Sequence, residues 1–318
     1  MGRRLLFYFA LFLFLLGCSQ MAMKKAQMQT PKVPKGAEYV GTSACYDCHE
    51  EMKTDGQTNV HLRLASFEVK GAHTGCEGCH GPGSLHVEGD GDTAKIIRFG
   101  KGGISSSEVA GVCLTCHKKD ETGMRWPFSI HARRGLSCTK CHKVHGNANK
   151  ALLRFASEEQ ICASCHQDVI DETYLPSHHP VKEKHMGCAD CHNPHGSSGA
   201  QKGMLKNDGR VNDLCINCHT RYQGPFVFEH PPASENCLLC HNPHGTVANS
   251  LLKENEPFLC LQCHEEHFHA ARAADPSYGP HDGWQRGFMT KCTQCHQNIH
   301  GSDLPSQTGG GGGKAFTR

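Results

Sequence analysis

Cys188-Ala189-Asp190-Cys191-His192-Asn193-Pro194-His195-Gly196 contains the two features that decide the fold of this 318-residue chain. The first is Cys-x-x-Cys-His, a spacing typical of c-type haem attachment. Two thiols bond to the vinyl groups of one porphyrin, and the adjacent histidine is delivered to the iron as an axial ligand. The second feature is another histidine three residues on, followed by glycine. The sequence is therefore best interpreted motif by motif.

The Cys-x-x-Cys-His pattern occurs ten times. Its members are Cys45/Cys48/His49, Cys76/Cys79/His80, Cys113/Cys116/His117, Cys138/Cys141/His142, Cys162/Cys165/His166, Cys188/Cys191/His192, Cys215/Cys218/His219, Cys237/Cys240/His241, Cys260/Cys263/His264 and Cys292/Cys295/His296. A zinc array would group four cysteines, or two cysteines with two histidines. A disulfide scaffold would not need a histidine after every second cysteine. We expect ten covalently bound haem c groups, with each motif histidine as the proximal ligand.

The composition is poor in ordinary core material. Hydrophobic residues make up 37% of the chain, beside 35 glycines and 15 prolines, which alone would suggest a loosely ordered polypeptide. Ten porphyrins, about one per 30 residues, would supply most of the apolar core. The apoprotein should then not fold alone. We expect a multihaem cytochrome c fold of mostly coil with short α-helices and little or no β-structure.

The charge pattern gives no sign of a nucleic-acid partner. The formal net charge is +2, no basic face is clustered, and two propionates per haem would make the holoprotein acidic. We therefore exclude nucleic acid as the partner.

The N-terminus has the pattern of an export leader. Arg3 and Arg4 precede the apolar run Leu5–Leu16, which is too short to span a membrane as a helix. Cys18 follows Leu-Leu-Gly as in a bacterial lipobox, so we predict a lipoprotein-type signal peptide over residues 1–17 and lipidation at Cys18. An ordinary leader that happens to contain a cysteine is the alternative. Ser19, rather than Asp, favours the outer membrane.

Four segments follow from these patterns. Beyond the leader we predict a lipid-anchored flexible tether at 18–40, a decahaem body at 41–304 and a disordered Gly-rich tail at 305–318. The rough recurrence of five motifs suggests two pentahaem halves, at about 41–170 and 171–304. Short helices should lead into motifs, for example Ser157–His166 with Ser157 as its cap.

Fifteen histidines remain outside the motifs, enough to close every haem with five to spare. An iron with two strong axial ligands transfers electrons only, whereas an open iron could bind a small substrate. Four of these histidines stand three or four residues behind a motif histidine and before glycine. They are His145, His195, His244 and His300. Each lies too close to its own proximal histidine to reach the far side of the same porphyrin, so we expect it to bind a neighbouring haem.

Six further histidines complete a set of ten distal ligands. His61, His131, His179 and His230 precede motifs, His86 follows the second motif, and His269 lies between motifs nine and ten. His178 competes with His179, and His267 competes with His269; the residues alone leave both choices open. Methionine as a sixth ligand is less economical, because histidine is in surplus.

Several stretches resemble the MtrA family of decahaem cytochromes, to which DmsE and PioA types also belong. They are Val211-Asn212-Asp213-Leu214-Cys215, Gly224-Pro225, Glu229-His230-Pro231, Glu235-Asn236-Cys237, His241-Asn242-Pro243-His244-Gly245, Cys76–Gly83, Arg98-Phe99-Gly100-Lys101 and Gly187–Gly196. The resemblance runs from Gly41 to Gly301. It implies bis-histidine haems in one extended chain, with the family's distal ligands on the ten histidines above. The lipobox at Cys18 departs from the ordinary leader of the best-known members.

The family resemblance also implies partners. Its members thread a large β-barrel porin of the outer membrane, an MtrB-like protein. They pass electrons between periplasmic or inner-membrane cytochromes and an extracellular multihaem cytochrome or terminal reductase. We therefore expect an electron conduit in the periplasm and outer membrane of a Gram-negative bacterium, not an enzyme. The alternatives are a lipid-tethered periplasmic shuttle without a barrel, a multihaem reductase with an open haem, and a structural filament subunit.

Overall fold

The computed structural model describes residues 25–55, 59–63, 74–117, 125–146, 151–197, 203–206, 209–264, 291–294, 296–305 and 316. The chain forms two compact units. The first consists of Met1–Ala156 with Asn193–Met204, and the second of Ser157–His192 with Leu205–Arg318. Motifs one to four lie in the first unit and motifs five to ten in the second. The two pentahaem halves remain a prediction about how the haems are grouped.

Short helices separated by coil make up the described residues. The α-helices are Thr42–Cys45, Glu51–Asp55, Val60–Arg63, Cys76–His80, Ser84–Glu88, Ser106–Cys116, Ile130–Arg133, Cys138–Cys141, Glu158–Ala163, Gln167–Glu172, Cys188–Cys191, Val211–Ile216, Pro231–Glu235 and Phe258–Leu261. The 3-10 helices are Thr93–Lys95, Trp126–Phe128, Thr220–Tyr222, Cys237–Leu239, Asn249–Leu251 and Cys292–Gln294. The predicted fold class is confirmed.

One two-stranded antiparallel sheet is present in the described parts of the chain. Strand β1, Ser177–His178, pairs with β2, Gly245–Thr246, in the register Ser177 to Thr246. Isolated bridges join His142 to Leu153, His192 to Leu205, His241 to Leu252 and Phe228 to Ser302. These contacts are too short to form a β-layer, but each lies beside a histidine of the predicted sites.

The helix predicted before motif five begins as expected and ends early. It spans Glu158–Ala163, and the Ser157 hydroxyl accepts a hydrogen bond from the Gln160 backbone N–H, which satisfies one of the free donors of the first turn. The prediction of a helix through His166 was wrong. At His166 the backbone leaves the helical region, with φ −119°, and a second helix begins at Gln167.

The apolar core of the polypeptide itself is small. Its main cluster, in the first unit, consists of Ala110, Leu114 and Trp126, with Met28 packed against it. Among the described residues, large hydrophobic side chains such as Val227 and Val247 are 73% and 76% exposed. Such a core is too small for a chain of this length, as expected if porphyrins provide the missing apolar surface.

Residues 25–40 belong to the segment predicted as a flexible tether, and they contact the haem-binding body of the chain. The Ala26 N–H donates to the Pro127 carbonyl at 2.7 Å, and the Gln29 N–H donates to the Ser107 carbonyl at 3.3 Å. Gly111 allows this, because a Cβ there would collide with the Gln29 carbonyl. These contacts lie within the predicted tether, and its bounds stay a prediction. Residues 18–24, including Cys18, and the leader lie outside the described residues.

No helix within the described residues combines the length and the apolar character needed to cross a membrane.

Candidate haem sites

Nine of the Cys-x-x-Cys-His motifs lie wholly within the described residues, and each of them forms one helical turn. In the second motif the turn is the helix Cys76–His80. In the others the histidine N–H donates to the carbonyl of the first cysteine, for example His142 to Cys138 at 2.9 Å and His219 to Cys215 at 2.9 Å. This i to i+4 bond folds the five residues into a compact turn that carries both thiols and the imidazole. The Cys-x-x-Cys-His spacing therefore corresponds to one local backbone conformation.

The first cysteines of consecutive motifs lie in contact. Their thiols hydrogen-bond in five odd–even pairs, Cys45 with Cys76, Cys113 with Cys138, Cys162 with Cys188, Cys215 with Cys237 and Cys260 with Cys292. The bond from Cys45 lowers the pKa of the Cys76 thiol to about 6, and the bond from Cys215 lowers the pKa of Cys237 to about 7. Each pair brings two attachment sites together.

The second cysteines of the odd motifs are exposed to solvent, whereas the first cysteines of the same motifs are partly buried. The exposed ones are Cys48, Cys116, Cys165, Cys218 and Cys263. The thiol pairs explain the difference, because they cover the first cysteine of each odd motif and leave the second one, three residues on, outside the contact. The second cysteines of the even motifs that the structure describes are partly buried, and burial raises the pKa of the Cys79 thiol to about 11. Haem attachment at the five exposed thiols stays a prediction.

Polar side chains ahead of the odd motifs hold these pairs. The Asn212 amide oxygen accepts from the Cys237 N–H at 2.7 Å, and the Glu256 carboxylate accepts from the Thr293 N–H and hydroxyl at 2.7 and 2.8 Å. Glu158 accepts from the Ala189 N–H in the same way. Bonds to a charged acceptor are the stronger kind. A side chain just before each of these odd motifs thus holds the backbone at the start of the following even motif by a hydrogen bond.

Two of these clusters contain side chains that can bind a metal ion, but each offers only three ligand atoms. Glu158, Cys162 and Cys188 form one, and Glu256, Cys260 and Cys292 form the other. A structural zinc site needs four ligands. Because all four cysteines belong to Cys-x-x-Cys-His motifs, we assign these thiols to haem attachment.

Seven motif histidines each lie beside one of the predicted distal histidines. The ring-centre distances are 6.0 Å for His117 and His61, 6.0 Å for His80 and His145, 5.9 Å for His142 and His195, 6.0 Å for His192 and His244, 6.1 Å for His219 and His179, 6.1 Å for His241 and His300, and 6.0 Å for His264 and His230. The range is only 5.9 to 6.1 Å, whereas the angles between the ring planes run from 14° to 71°. Direct stacking would fix the angle, so a common spacer is the better explanation.

An iron between two imidazoles has this spacing. A metal–imidazole bond is about 2.0–2.1 Å long in zinc sites, and the nitrogen lies about 1.1 Å from the ring centre, so two opposed ligands have centres about 6 Å apart. The distal histidine of an even motif comes from behind the next even motif, as with His80 and His145. The residues present fit bis-histidine haem.

Backbone carbonyls orient many of these imidazoles through Nδ1. His80 Nδ1 bonds to the Ile97 carbonyl at 2.9 Å, His142 Nδ1 to that of Ala151 at 2.8 Å and His241 Nδ1 to that of Ser250 at 3.0 Å. Among the predicted distal histidines, His86 Nδ1 bonds to the Asp92 carbonyl at 3.0 Å. A carbonyl can only accept, so Nδ1 carries the proton and Nε2 keeps its lone pair for a metal.

Burial favours the neutral imidazole that iron requires. It lowers the pKa of His80 and is also the first cause of the lowered pKa of five other histidines, His61, His230, His241, His244 and His300. Removing an imidazolium from water is unfavourable, and neighbouring histidines add repulsion. Near neutral pH these rings are in the form that coordinates a metal.

The structure separates His178 from His179. His178 uses both ring nitrogens, with Nε2 at 3.2 Å from the Glu183 carboxylate and Nδ1 on the Leu175 carbonyl. His179 has Nδ1 on the Pro243 carbonyl at 2.7 Å, and its ring faces His219. The geometry therefore favours His179 as the ligand.

Predicted distal histidines are joined in couples. A couple here means two of them linked by a bond from Nδ1 of the first to the carbonyl preceding the second. His179 bonds to Pro243, before His244, and His230 bonds to Ile299 at 2.9 Å, before His300. A third couple has His131 bonded to Pro194 at 3.1 Å, before His195.

Short β-contacts support two of these couples. The sheet pairs Ser177 with Thr246, and the isolated bridge pairs Phe228 with Ser302. In each case a residue two before the first histidine lies opposite a residue two after the second. The predicted distal ligands of motifs six and seven, and of motifs eight and nine, are thereby held together.

Asparagines two residues before a predicted distal histidine hold that histidine in place, and they were not identified from the sequence. The Asn193 Oδ1 accepts from the His195 N–H at 3.1 Å, and Asn242 Oδ1 accepts from the His244 N–H at 3.3 Å. Asn59 and His61 repeat the arrangement at 3.0 Å. Asparagine favours such turns because its side chain bonds to its own backbone two residues on. The recurring Asn-x-His pattern was a signal available in the sequence.

The glycines behind these histidines permit a close approach of another part of the chain. A Cβ at Gly196 would lie 2.7 Å from the Arg125 carbonyl, and one at Gly301 would enter the Phe226 ring. Both also have positive φ, at +109° and +121°, which favours glycine.

Phe316, in the segment predicted as a disordered tail, contacts the chain that follows motif ten. Its carbonyl accepts from the Asn298 N–H at 2.9 Å, as Met204 does from Asn193 and Leu251 does from Asn242. All three acceptors have positive φ, 49°, 50° and 57°. The rest of 306–318 lies outside the described residues.

The remaining site predictions are carried forward as predictions. The distal ligation of His49, His166 and His296, and the use of His86, His131 and His269 as distal ligands, stay predictions. His269 and Cys295 lie outside the described residues, as does His267.

The repeated turns, thiol pairs and imidazole pairs define the class: the chain is a multihaem c-type cytochrome that transfers electrons. It matches the family model for the cytochrome c-type protein NrfB-like at residues 76–161 and the model for the doubled CXXCH motif at 178–224 and 230–269. The multiheme cytochrome MtrA of Shewanella baltica is 37% identical over 279 residues, which is 86% of this chain and 80% of that protein. The chain belongs to the MtrA-type multihaem cytochrome family.

Two other relatives cover less. The cytochrome c-type protein NrfB of Escherichia coli is 30% identical over 40% of this chain and 65% of that protein. The C-type polyheme cytochrome OmcC of Geobacter sulfurreducens is 26% identical over 59% of this chain and 27% of that protein. These similarities support covalently bound haem c in this chain.

Proposed function

We propose that this chain binds ten haem c groups, each between two histidines, and conducts electrons by hopping from haem to haem. The observation that carries the proposal is the constant separation of about 6 Å in the seven imidazole pairs. When bound, haem iron supplies one-electron redox chemistry. The two histidines of each pair would occupy both axial positions of one iron, so that the centre would exchange electrons and take no substrate.

Contacts between neighbouring sites support a conduit. Thiol pairs such as Cys215 with Cys237 join motif seven to motif eight, and the couple of His179 with His244 joins the ligands of motifs seven and six. The two kinds of contact alternate along the motifs of the second unit. Successive sites are therefore held at short range by the chain itself, as hopping requires.

We propose that the conduit lies in the periplasm and outer membrane as part of a porin–cytochrome complex. Lipidation at Cys18 would attach it to the membrane, an MtrB-like β-barrel would receive it, and it would link a periplasmic or inner-membrane cytochrome to an extracellular multihaem cytochrome or terminal reductase. Membership of the MtrA-type family supports this. The alternatives are a lipid-tethered shuttle without a barrel and a reductase with an open haem.

Two experiments test the proposal. Pull-down from outer membranes in mild detergent should recover a β-barrel in near-equal amount; recovery of the cytochrome alone, under detergent that preserves a known membrane complex, would leave the tethered shuttle. Carbon monoxide added to the reduced protein should leave the spectrum unchanged. Binding at substantial occupancy would instead favour the reductase, because an open iron is needed.

A further inference from the structure

The first couple of distal histidines, His61 and His145, departs from the other three. By analogy with His131, His179 and His230, His61 Nδ1 should donate to the Val144 carbonyl, which precedes His145. That carbonyl instead accepts from the Asn59 side-chain amide. His61 Nδ1 is buried and has no hydrogen-bond partner among the residues that the structure describes. One imidazole of the series thus lacks the bond that its counterparts make.

The residue at position −2 explains the difference. Asn59 is 1% exposed, and it accepts from the His61 N–H while its amide reaches Val144. Ser129 and Ser177 stand at the same position before His131 and His179. Their hydroxyls accept from the Ala132 and Leu251 N–H groups and leave the neighbouring carbonyl to the histidine. Only Asn59 of these three places an amide donor on that carbonyl.

A hydrogen bond from Nδ1 makes an imidazole a stronger donor to its metal. The stronger donor favours ferric over ferrous iron, and a ligand without this bond favours the ferrous state. The ring of His61 lies 6.0 Å from that of His117, the motif histidine of the third haem. Resting on the proposed bis-histidine ligation, we propose that Asn59 is a positioning residue that withholds the Val144 carbonyl from His61 and thereby raises the reduction potential of the third haem.

An electron would reside longer on this haem than on a haem whose distal histidine donates an Nδ1 hydrogen bond to a carbonyl. The higher potential would affect electron transfer between the second and third haems, because His145 faces His80 of the second motif and His61 faces His117 of the third. The other couples have no equivalent of the Asn59 amide on their carbonyl, so we expect the difference at this step.

Asn59→Ser tests the proposal, since serine is the residue of the second and third couples. It should free the Val144 carbonyl for His61 and lower the potential of one haem. In a spectroelectrochemical titration of the full holoprotein, one tenth of the absorbance change should move to lower potential. We expect a three- to tenfold change in that haem's reduction equilibrium, which is about 30–60 mV for one electron. Asn59→Ala should shift in the same direction.

Asn255→Ser is the control. Asn255 is exposed, and its side chain accepts from the Asn249 N–H outside the turns that carry the predicted ligands, so no shift of any haem is expected. An unshifted titration of fully loaded, low-spin Asn59→Ser would overturn the inference. A high-spin third haem in the unmodified protein would instead overturn the ligation on which it rests.

A measurement on the unmodified protein covers the case in which the variants fail to load haem. In the reduced, diamagnetic state labelled with ¹⁵N-histidine, one slowly exchanging Nδ1–H proton should lack the downfield shift of a hydrogen bond, because the His61 site is buried. Finding every slowly exchanging Nδ1–H proton shifted downfield would contradict the proposal.

Discussion

The ring centres of His80 and His145 lie 6.0 Å apart, although His80 belongs to the second motif and His145 follows the fourth. The predicted distal ligand of the second motif thus comes from two motifs further along the chain. His142 with His195, His192 with His244, and His241 with His300 repeat the relationship. Loss of one haem should therefore loosen the segment two motifs on.

His145→Ala should open the second haem. We expect the variant to keep its ten thioether-bound haems and to show one high-spin haem, because the two thiols and His80 still hold it. Carbon monoxide should then bind at about one tenth of the total haem. Magnetic circular dichroism and a carbon monoxide titration would measure both. An unchanged low-spin spectrum would show that His145 is no ligand.

His179→Ala and His178→Ala should differ sharply. His179 faces His219, whereas His178 bonds to Glu183 and Leu175. Only His179→Ala should create a high-spin, carbon monoxide-binding haem. His178→Ala should keep every haem low-spin and cost at most about 1 kcal/mol of stability, as expected for a partly exposed ion pair. The reverse pattern would transfer the ligand assignment to His178.

Phe316→Ala should loosen the last repeat. The Phe316 ring lies 5.6 Å from that of His230, and its carbonyl holds the Asn298 N–H. The substitution removes the ring contact and leaves the carbonyl, so local unfolding should be easier by about 1 kcal/mol, in the range of an aromatic pair. Hydrogen exchange at Asn298 reports it directly. Phe258→Ala, at an exposed ring of the same unit, is the control. Equal exchange in both variants would leave Phe316 without this role.

Glu77→Gln should weaken the attachment of residues 38–41. The buried Glu77 carboxylate accepts from the N–H groups of Val40, Gly41 and Gly83 at 2.8–2.9 Å. A glutamine can accept through only one oxygen, and a lost bond to a charged group costs about 1.5–3 kcal/mol. Denaturant unfolding of the holoprotein, with the exposed Glu88→Gln as control, measures the difference. Equal midpoints would contradict this role.

The attachment chemistry was predictable because covalent bonding demands local spacing. Cys188, Cys191 and His192 must lie within one turn, and the sequence displays that spacing directly. The partners of the imidazoles were not predictable from the residues, because they depend on how loops return across other motifs. Nothing local to His145 specifies His80 rather than another ring.

Two further features show where sequence reasoning stopped. The choice between His178 and His179 depends on Glu183 and the Pro243 carbonyl, which come together only in the fold. The contact of Phe316 was hidden behind Gly309–Gly313, a run that looks like an unstructured tail. In contrast, the Asn-x-His turns at Asn59, Asn193 and Asn242 were visible as a pattern, and their physical meaning could have been predicted.

We propose that the chain carries ten haems, each held between two histidines. The most direct test of this proposal combines the haem content of the purified holoprotein per chain, measured as the pyridine haemochrome, with its electron paramagnetic resonance spectrum. We expect ten haems per chain, all low-spin in the ferric state. Fewer haems, or a high-spin signal amounting to one haem or more, would contradict it.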